Sequence, residues 1–473
     1  MDSQNGNDQP KTNKPEKQTV SRIKTGSFER KLSLTKAGLF AGTRMATHTA
    51  TNFFVSKEKR AERHKKMLSR HAQLLVDELG KLKGSVVKIG QVMALYGEHF
   101  LPVEVTEALH TLEDKTVSLE WPAILQVLKR ELGEERLAAL DIDPEPIGAA
   151  SLGQVHRARI IESGKEICLK IQYPGVADAV DSDLNSVAQL LRFAKVVSFG
   201  PDFDEWLEEV RHMMHREVDY RLEAETTQRF REMLADDARY IVPEVYFEFS
   251  TSHVMATSFE DGHSVNSPVV QTLPQERRNA IAKSALELFL KELFVWHELQ
   301  TDPNFGNYRV RLGVGSSPDK IVLLDFGAVQ KYPLAVLGPV CAMIKASYER
   351  NLEEVVQGGV ALRFMQPEWP SKVLNEFGEV CMAVLEPLAK EDVSVPASAL
   401  NEQGQYKWKD SDLPTRVAKR AAMSAINRYF KIPPKEFVFL NRKLVGVYTF
   451  ISVLSAEFNG RDILLPYLYP EGK

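Results

Sequence analysis

The sequence predicts an α+β protein of two lobes behind a helical extension, and three observations carry that reading. Helical texture dominates up to about residue 140. Two β-rich stretches follow, near residues 146–172 and 243–256, with long helical patterns between them. From residue 275 the chain is helical again, apart from one pair of short strands near residues 308–324. With 473 residues, the chain can bury a sizeable core in each of two or three cooperating parts.

The opening stretch, residues 1–25, is polar and contains proline, and Asp2, Asp8 and Glu16 interrupt it. It has no apolar core, so it reads as a disordered tail and as neither a secretory signal nor a transit peptide. Residues 26–140 form the helical extension. Residues 28–75 alternate small apolar residues with Lys and Arg, the pattern continues to Tyr96 around Gly90, and Pro102 opens a further short helix. Residues 121–140 are amphipathic, with Trp121, Leu125 and Leu128 on one side. At Pro144 the texture changes. Residues 146–159 are rich in Gly and Ala, residues 166–172 alternate like a strand, and Ser163-Gly164 supplies the turn of a hairpin.

Long helices are expected at 178–197 and 203–234, then strand character at 243–256. Asp261-Gly262 breaks the chain and closes a small β-rich lobe spanning 141–262. The remaining lobe, 263–473, opens with an apolar helix at 275–299. Strands at 308–312 and 321–324 flank a Gly-Val-Gly-Ser-Ser-Pro turn, and helices follow from Tyr332, two of them separated by Pro433-Pro434. This is the element order of a protein kinase, bilobal with a small N-lobe and a helical C-lobe, with a helical preface added.

Charge is uneven. The formal net charge is −4, which excludes a nucleic-acid-binding polycation as the character of the whole chain. Residues 11–66 nevertheless hold 15 Lys or Arg against 4 Asp or Glu. Such an arm can bind an anionic membrane, bind nucleic acid, or simply solvate helix faces. Cys168, Cys341 and Cys381 are an odd, widely spaced set, which argues against a disulfide framework or zinc site and fits a reducing compartment. Charges interrupt every long apolar stretch, so the expectation is a cytoplasmic protein, at most peripheral on an inner membrane.

The chemistry lies in two short segments read together. Thr301-Asp302-Pro303-Asn304-Phe305-Gly306-Asn307 is followed, 18 residues after Asn307, by Asp325-Phe326-Gly327. Each is weak alone, since either can be a capped turn. In this order, across a strand–turn–strand, they match what phosphoryl transfer requires: a carboxylate near the attacking oxygen (Asp302), and an Asn and an Asp to hold magnesium (Asn307, Asp325). Lys170 alternates against Leu169 and Ile171 on its strand, where a phosphate-gripping lysine belongs. Before it comes the loop Gly148, Ala149, Ala150, Ser151, Leu152, Gly153, Gln154, which is neither a Walker A nor a G-x-G-x-x-G sequence. Its alanines enter positive-φ conformations reluctantly, so the loop is expected to be stiff.

Lys88-Ile89-Gly90-Gln91, residues 149–156, Glu217-Val218-Asp219, the Asp302/Asn307 loop and Asp325-Phe326-Gly327 together resemble the UbiB family of atypical kinases, over roughly residues 28–450. The resemblance implies that the helix of Lys88 and Gln91 folds over a Mg²⁺-ATP site, that Lys88 pairs with Glu217 while Asp219 helps hold the extension, and that Glu223 is the helix partner of Lys170. It further implies ATPase or kinase activity supporting ubiquinone biosynthesis, on a quinone-precursor lipid or other small molecule, with quinone-biosynthesis proteins as partners. The basic arm would then meet an anionic membrane, each exposed basic residue contributing about 1 kcal/mol. A nucleotide-switched lipid-binding scaffold with negligible turnover is the alternative. The Lys88–Gln91 segment argues against an aminoglycoside- or choline-type phosphotransferase.

Overall fold

In a computed structural model, the described residues are 85–96, 101–111, 118–193, 201–302, 304–391, 395–423 and 435–470, with isolated positions 19, 20, 69, 70, 73, 76, 79 and 429. The tail and nearly all of the basic arm lie outside them. The chain divides into two compact units. The first is residues 1–218 with 248–256, and the second is 219–247 with 257–473. The divisions therefore fall inside the stretch 141–262 that reads as one lobe in the sequence.

The continuously described part of the first unit contains α1 (Ser85–Tyr96), α2 (Val103–His110) and α3 (Trp121–Ala138). Pro102 stands at the N-cap of α2, as a ring with fixed φ and no N–H allows there. A four-stranded sheet follows: β1 (Leu140–Ala149), β2 (Gly153–Ile160) and β3 (Glu166–Gln172), then α4 (Val176–Phe193) and α5 (Pro201–Glu217). The chain next contributes α6 (Tyr220–Met233) and β4 (Tyr240–Ile241) to the second unit, and β5 (Val254–Ser258) completes the first unit's sheet in the order β1-β2-β3-β5. The β2–β3 hairpin turns at Gly164, whose φ of 69° favours glycine.

Two sequence expectations are corrected here. Residues 140–149 form a strand that pairs antiparallel with β2 through two register shifts; the prolines at 144 and 146 mask that strand in the sequence. The single helix expected at 203–234 is two, because Asp219 leaves helical geometry (φ −97°, ψ 86°) and its carboxylate accepts a bond from Leu222 N. An N-cap of this kind starts a new helix rather than continuing the old one.

The second unit contains α7 (Gln275–Lys291), a π-helical turn (Glu292–Trp296), β6 (Glu298–Gln300), β7 (Tyr308–Arg311), β8 (Lys320–Leu323) and β9 (Val329–Lys331). Helices α8 (Leu334–Glu349), α9 (Leu352–Ala361), α10 (Ser371–Val384), α11 (Leu413–Met423), α12 (Lys435–Val453) and α13 (Arg461–Leu468) follow. β8 lies between β4 and β7, and β9 pairs with β6. The core of the unit runs along α7 and α12, with Leu286, Phe289, Leu290, Phe439 and Ile451 buried. None of the helices among the described residues is long and apolar enough to cross a membrane.

Asp237 locks the loop before β4. Arg239 grips both of its oxygens at 2.8 Å and Lys291 adds a 2.6 Å bond. These cations hold its carboxyl far below the usual range, the Arg239 bonds contributing most. A depressed carboxylate stabilises the fold fully above the unfolded value of about 4 and loses that contribution as pH falls below it. Asp237→Asn should lower stability at pH 7 and flatten its decline in acid. Urea unfolding at pH 7 and pH 3 measures this, and a variant with the wild-type acid slope would contradict it.

Candidate phosphoryl-transfer site

The loop carrying Asp302 and Asn307 is held at both ends. α7 runs into the π-helical turn, and His297 (φ 57°) redirects the chain into β6. At the exit of β6, Thr301 N and Oγ1 both donate to Ala328 O, at 3.0 and 2.7 Å. At the other end, Leu324 N donates to Asn307 O at 2.9 Å, continuing the β7–β8 ladder in which Leu323 faces Tyr308. Asp325 therefore follows directly from a residue bonded to Asn307. These two stitches bring together the segments that stand 18 residues apart in the sequence.

Within the loop, Asn307 Nδ2 donates to Asp302 Oδ2 at 2.9 Å, and Asp302 Oδ1 lies 3.3 Å from Arg442 Nη2. Gly327 N donates to Asp325 Oδ1 at 3.0 Å. Glu223 is buried on α6, and a methyl group placed on Gly327 would come within 3.4 Å of both Glu223 Oε2 and Asp325 Oδ1. α6 is anchored there by Phe230, whose ring lies 4.8 Å from that of Phe326, and by Arg229, which reaches Glu298 at 2.6 Å. The second unit thus gathers Asp302, Asn307, Asp325 and Glu223.

Sequence reasoning missed three contributors, all close to this loop. Arg442 and Lys443 come from α12, some 140 residues beyond Asp302. Lys443 Nζ meets Glu292, the first residue of the π-helical turn, at 2.7 Å, with both side chains almost wholly buried. Burial alone would lower the lysine pKa, but Glu292 and Tyr308 outweigh it and the lysine is held charged. Burial pushes the Glu292 carboxyl up against the pull of the same lysine. Only the unusual charges inside an otherwise apolar stretch, 437–454, hinted at this in the sequence.

In the first unit, Lys170 is half-buried on β3, opposite Val155 of β2, with Leu169 and Ile171 buried on the other face. The preceding turn is tight. Ala150 N donates to Gly153 O at 2.8 Å, and Tyr173 N to Leu152 O at 2.9 Å. None of residues 148–153 is among the residues with positive φ, so Ala149 and Ala150 carry no penalty there. Ser151 is half-buried, whereas Leu152 and Gln154 are buried. The Gln154 amide is engaged internally, accepting from Leu119 N at 2.8 Å and meeting His156 Nε2 at 2.8 Å.

Lys88 and Gln91 lie one turn apart on α1, and Lys88 Nζ lies 2.5 Å from Glu217 Oε1 at the end of α5. A buried bond from Ser85 to Asp183 fixes α1 against α4 beside that pair. Asp219, two residues beyond Glu217, is the N-cap of α6.

Asn307 and Asp325 suit magnesium: both offer hard oxygen ligands, and the 2.9 Å bond made by Nδ2 turns the other end of the Asn307 amide, its oxygen, away from Asp302. No cluster of three or more His, Cys, Asp or Glu able to hold a metal occurs among the described residues.

A small antiparallel sheet bearing one lysine, and a helical unit presenting an Asp–Asn loop beside an Asp-Phe-Gly turn, define a kinase-like fold. The chain belongs to the ABC1 atypical kinase-like family, the UbiB group, whose domain matches residues 111–358. It is 31% identical over 398 residues to the protein named atypical kinase COQ8B, mitochondrial, of Danio rerio, covering 84% of this chain and 60% of that one. It is 28% identical over 387 residues to atypical kinase coq-8, mitochondrial, of Caenorhabditis elegans, covering 82% and 49%. The chain therefore spans about half to three fifths of the length of these relatives. A solved structure of the Rv3197–erythromycin complex from Mycobacterium tuberculosis shares the fold, with TM-score 0.57, 22% identity, and coverage of 86% of this chain and 97% of that one.

Proposed function

We propose that the protein is an atypical kinase-type ATPase that uses magnesium-bound ATP in support of ubiquinone biosynthesis, with a small molecule or lipid as its acceptor. The observation that carries this reading is the stitched Asp302–Asn307 loop beside Asp325. Asp302 orients the attacking water or hydroxyl and accepts its proton. Asn307 and Asp325 supply the magnesium ligands. Lys170 and the backbone of residues 148–153 hold the phosphates, and Glu223 is the helix glutamate of the set, buried near Asp325. Bound Mg²⁺-ATP would supply the electrophilic phosphorus and the charge that the ligands neutralise. The relatives named as COQ8 kinases support the link to ubiquinone, and the basic residues between 11 and 66 would bring the protein to an anionic membrane.

A slower variant of this reading also has an observation behind it. Both oxygens of Asp302 are already engaged, by Asn307 and Arg442, which favours nucleotide binding with little turnover. ATP hydrolysis by the purified protein, with magnesium or with EDTA, and with or without anionic liposomes or quinone-precursor mimics, separates the two. Magnesium-independent or absent hydrolysis under every condition would remove the enzymatic reading.

The Lys88–Glu217 pair is assigned a gating role on the nucleotide. The two side chains are 23% and 30% exposed, so the pair contributes no more than about 1 kcal/mol to stability. Lys88→Met should therefore leave thermal unfolding nearly unchanged while altering ATP affinity or turnover severalfold. Unchanged nucleotide titrations and rates would dismiss the gate.

A further inference from the structure

The second unit holds a cleft of about 750 Å³ that the phosphate-transfer residues do not line. Its size falls in the range of small-molecule sites, roughly 300–1,000 Å³. Ile344, Leu352, Met382, Leu385, Val417 and Leu464 give it an apolar body, drawn from α8, α9, α10, α11, α13 and the turn after α10.

Its polar groups are unequally satisfied. Arg416 is closed by Glu386, its two terminal nitrogens Nη1 and Nη2 each 2.6 Å from one carboxylate oxygen, and Tyr406 Oη donates to the same carboxylate at 2.9 Å. Arg420 lies 3.9 Å from Glu379. The other two cations of the lining, Arg350 and Lys419, are exposed and have no ion pair among the described residues. Ser347, also in the lining, is 6% exposed, and its Oγ has no hydrogen-bond partner among the described residues. A buried hydroxyl is normally paired, so one that is not calls for an explanation.

An apolar body, two unneutralised cations and an unpaired hydroxyl suit one kind of guest. We propose that this cleft binds a single-chain anionic amphiphile, its chain along the apolar wall and its phosphate- or carboxylate-type head at Arg350 and Lys419. The Ser347 hydroxyl supplies a hydrogen bond to the oxygens beside the head. The site is separate from the Asp302 loop, and the proposal does not depend on the ATP reading.

Isothermal titration of the full chain, with oleoyl lysophosphatidate below its critical micelle concentration, tests it. The expected result is saturable binding of one molecule per chain. Oleoyl lysophosphatidylcholine, which has the same chain but no net charge, should bind at least tenfold more weakly. Inorganic phosphate, the head without the chain, should show no saturable binding at the same concentrations. Lys419→Glu should weaken lysophosphatidate binding tenfold or more, and Ala383→Trp, which fills the cleft, should abolish it. Thermal unfolding of each ligand-free variant checks that it remains folded. Equal affinity for the two lysolipids, phosphate binding as tight as lysophosphatidate, or wild-type affinity in both folded variants would overturn the proposal.

Discussion

Asp325→Asn and Asp302→Asn should each reduce magnesium-dependent ATP hydrolysis at least a hundredfold while the protein stays folded. Asp325 has one oxygen oriented by Gly327 N, which leaves a fixed carboxylate where a metal ligand is required. Asparagine keeps the shape but removes the charge that neutralises a divalent ion. In the proposed reaction Asp302 would act on the proton of the attacking group, and removal of such a group typically costs a factor of about 10²–10⁴. Neither carboxylate is buried in the core, so urea unfolding should move little. Rates of both purified variants within tenfold of wild type would refute the assignment of this loop as the reaction centre.

The largest effect on stability is expected at Lys443. Its ammonium and the Glu292 carboxylate are 2.7 Å apart, and their side chains are 4% and 2% exposed. Removing one partner leaves the other charged in a dry interior, which typically costs about 3–5 kcal/mol. Lys443→Met should lose about that much in equilibrium unfolding, and Glu292→Leu a similar amount. The double variant should recover most of the loss, because replacing both charges with apolar groups removes the desolvation cost together with the attraction. Full additivity of the two single effects would show that the pair does not act as a unit. Lys443 adjoins Arg442, and Glu292 opens the turn leading to β6, so hydrolysis should fall in the single variants as well.

Much of the site was legible because it is local. The strands around the Gly-Val-Gly-Ser-Ser-Pro turn fall at Tyr308–Arg311 and Lys320–Leu323, as their alternation and turn residues require. Lys170 was placed on the correct face of its strand by the same alternation. The pairing of Lys88 with Glu217 came from the family resemblance, since nothing in spacing alone relates residues 129 positions apart. The break at Asp219 is not legible in the sequence, because an aspartate inside a charged helical pattern reads equally as a surface residue. Only its backbone geometry makes it a cap. Gln154 closes the loop read as nucleotide-binding, and its amide bonds Leu119 and His156, partners that its neighbours in sequence do not announce.

The sequence by itself determined the helical preface, the hairpin around Gly164, the hairpin between Asn307 and Asp325, and the residue types suited to phosphoryl transfer. These follow from periodicity, turn chemistry and charge, which act within a few residues. The tertiary structure alone decided that Arg442 faces Asp302, that Lys443 neutralises Glu292, and that α6 stands against Phe326. Each of these contacts joins segments far apart in the chain. Burying α12 against the second unit's core leaves Lys443 and Glu292 no water, so that each must meet a partner brought to it by the fold, whereas Arg442 and Asp302 meet at its part-exposed edge.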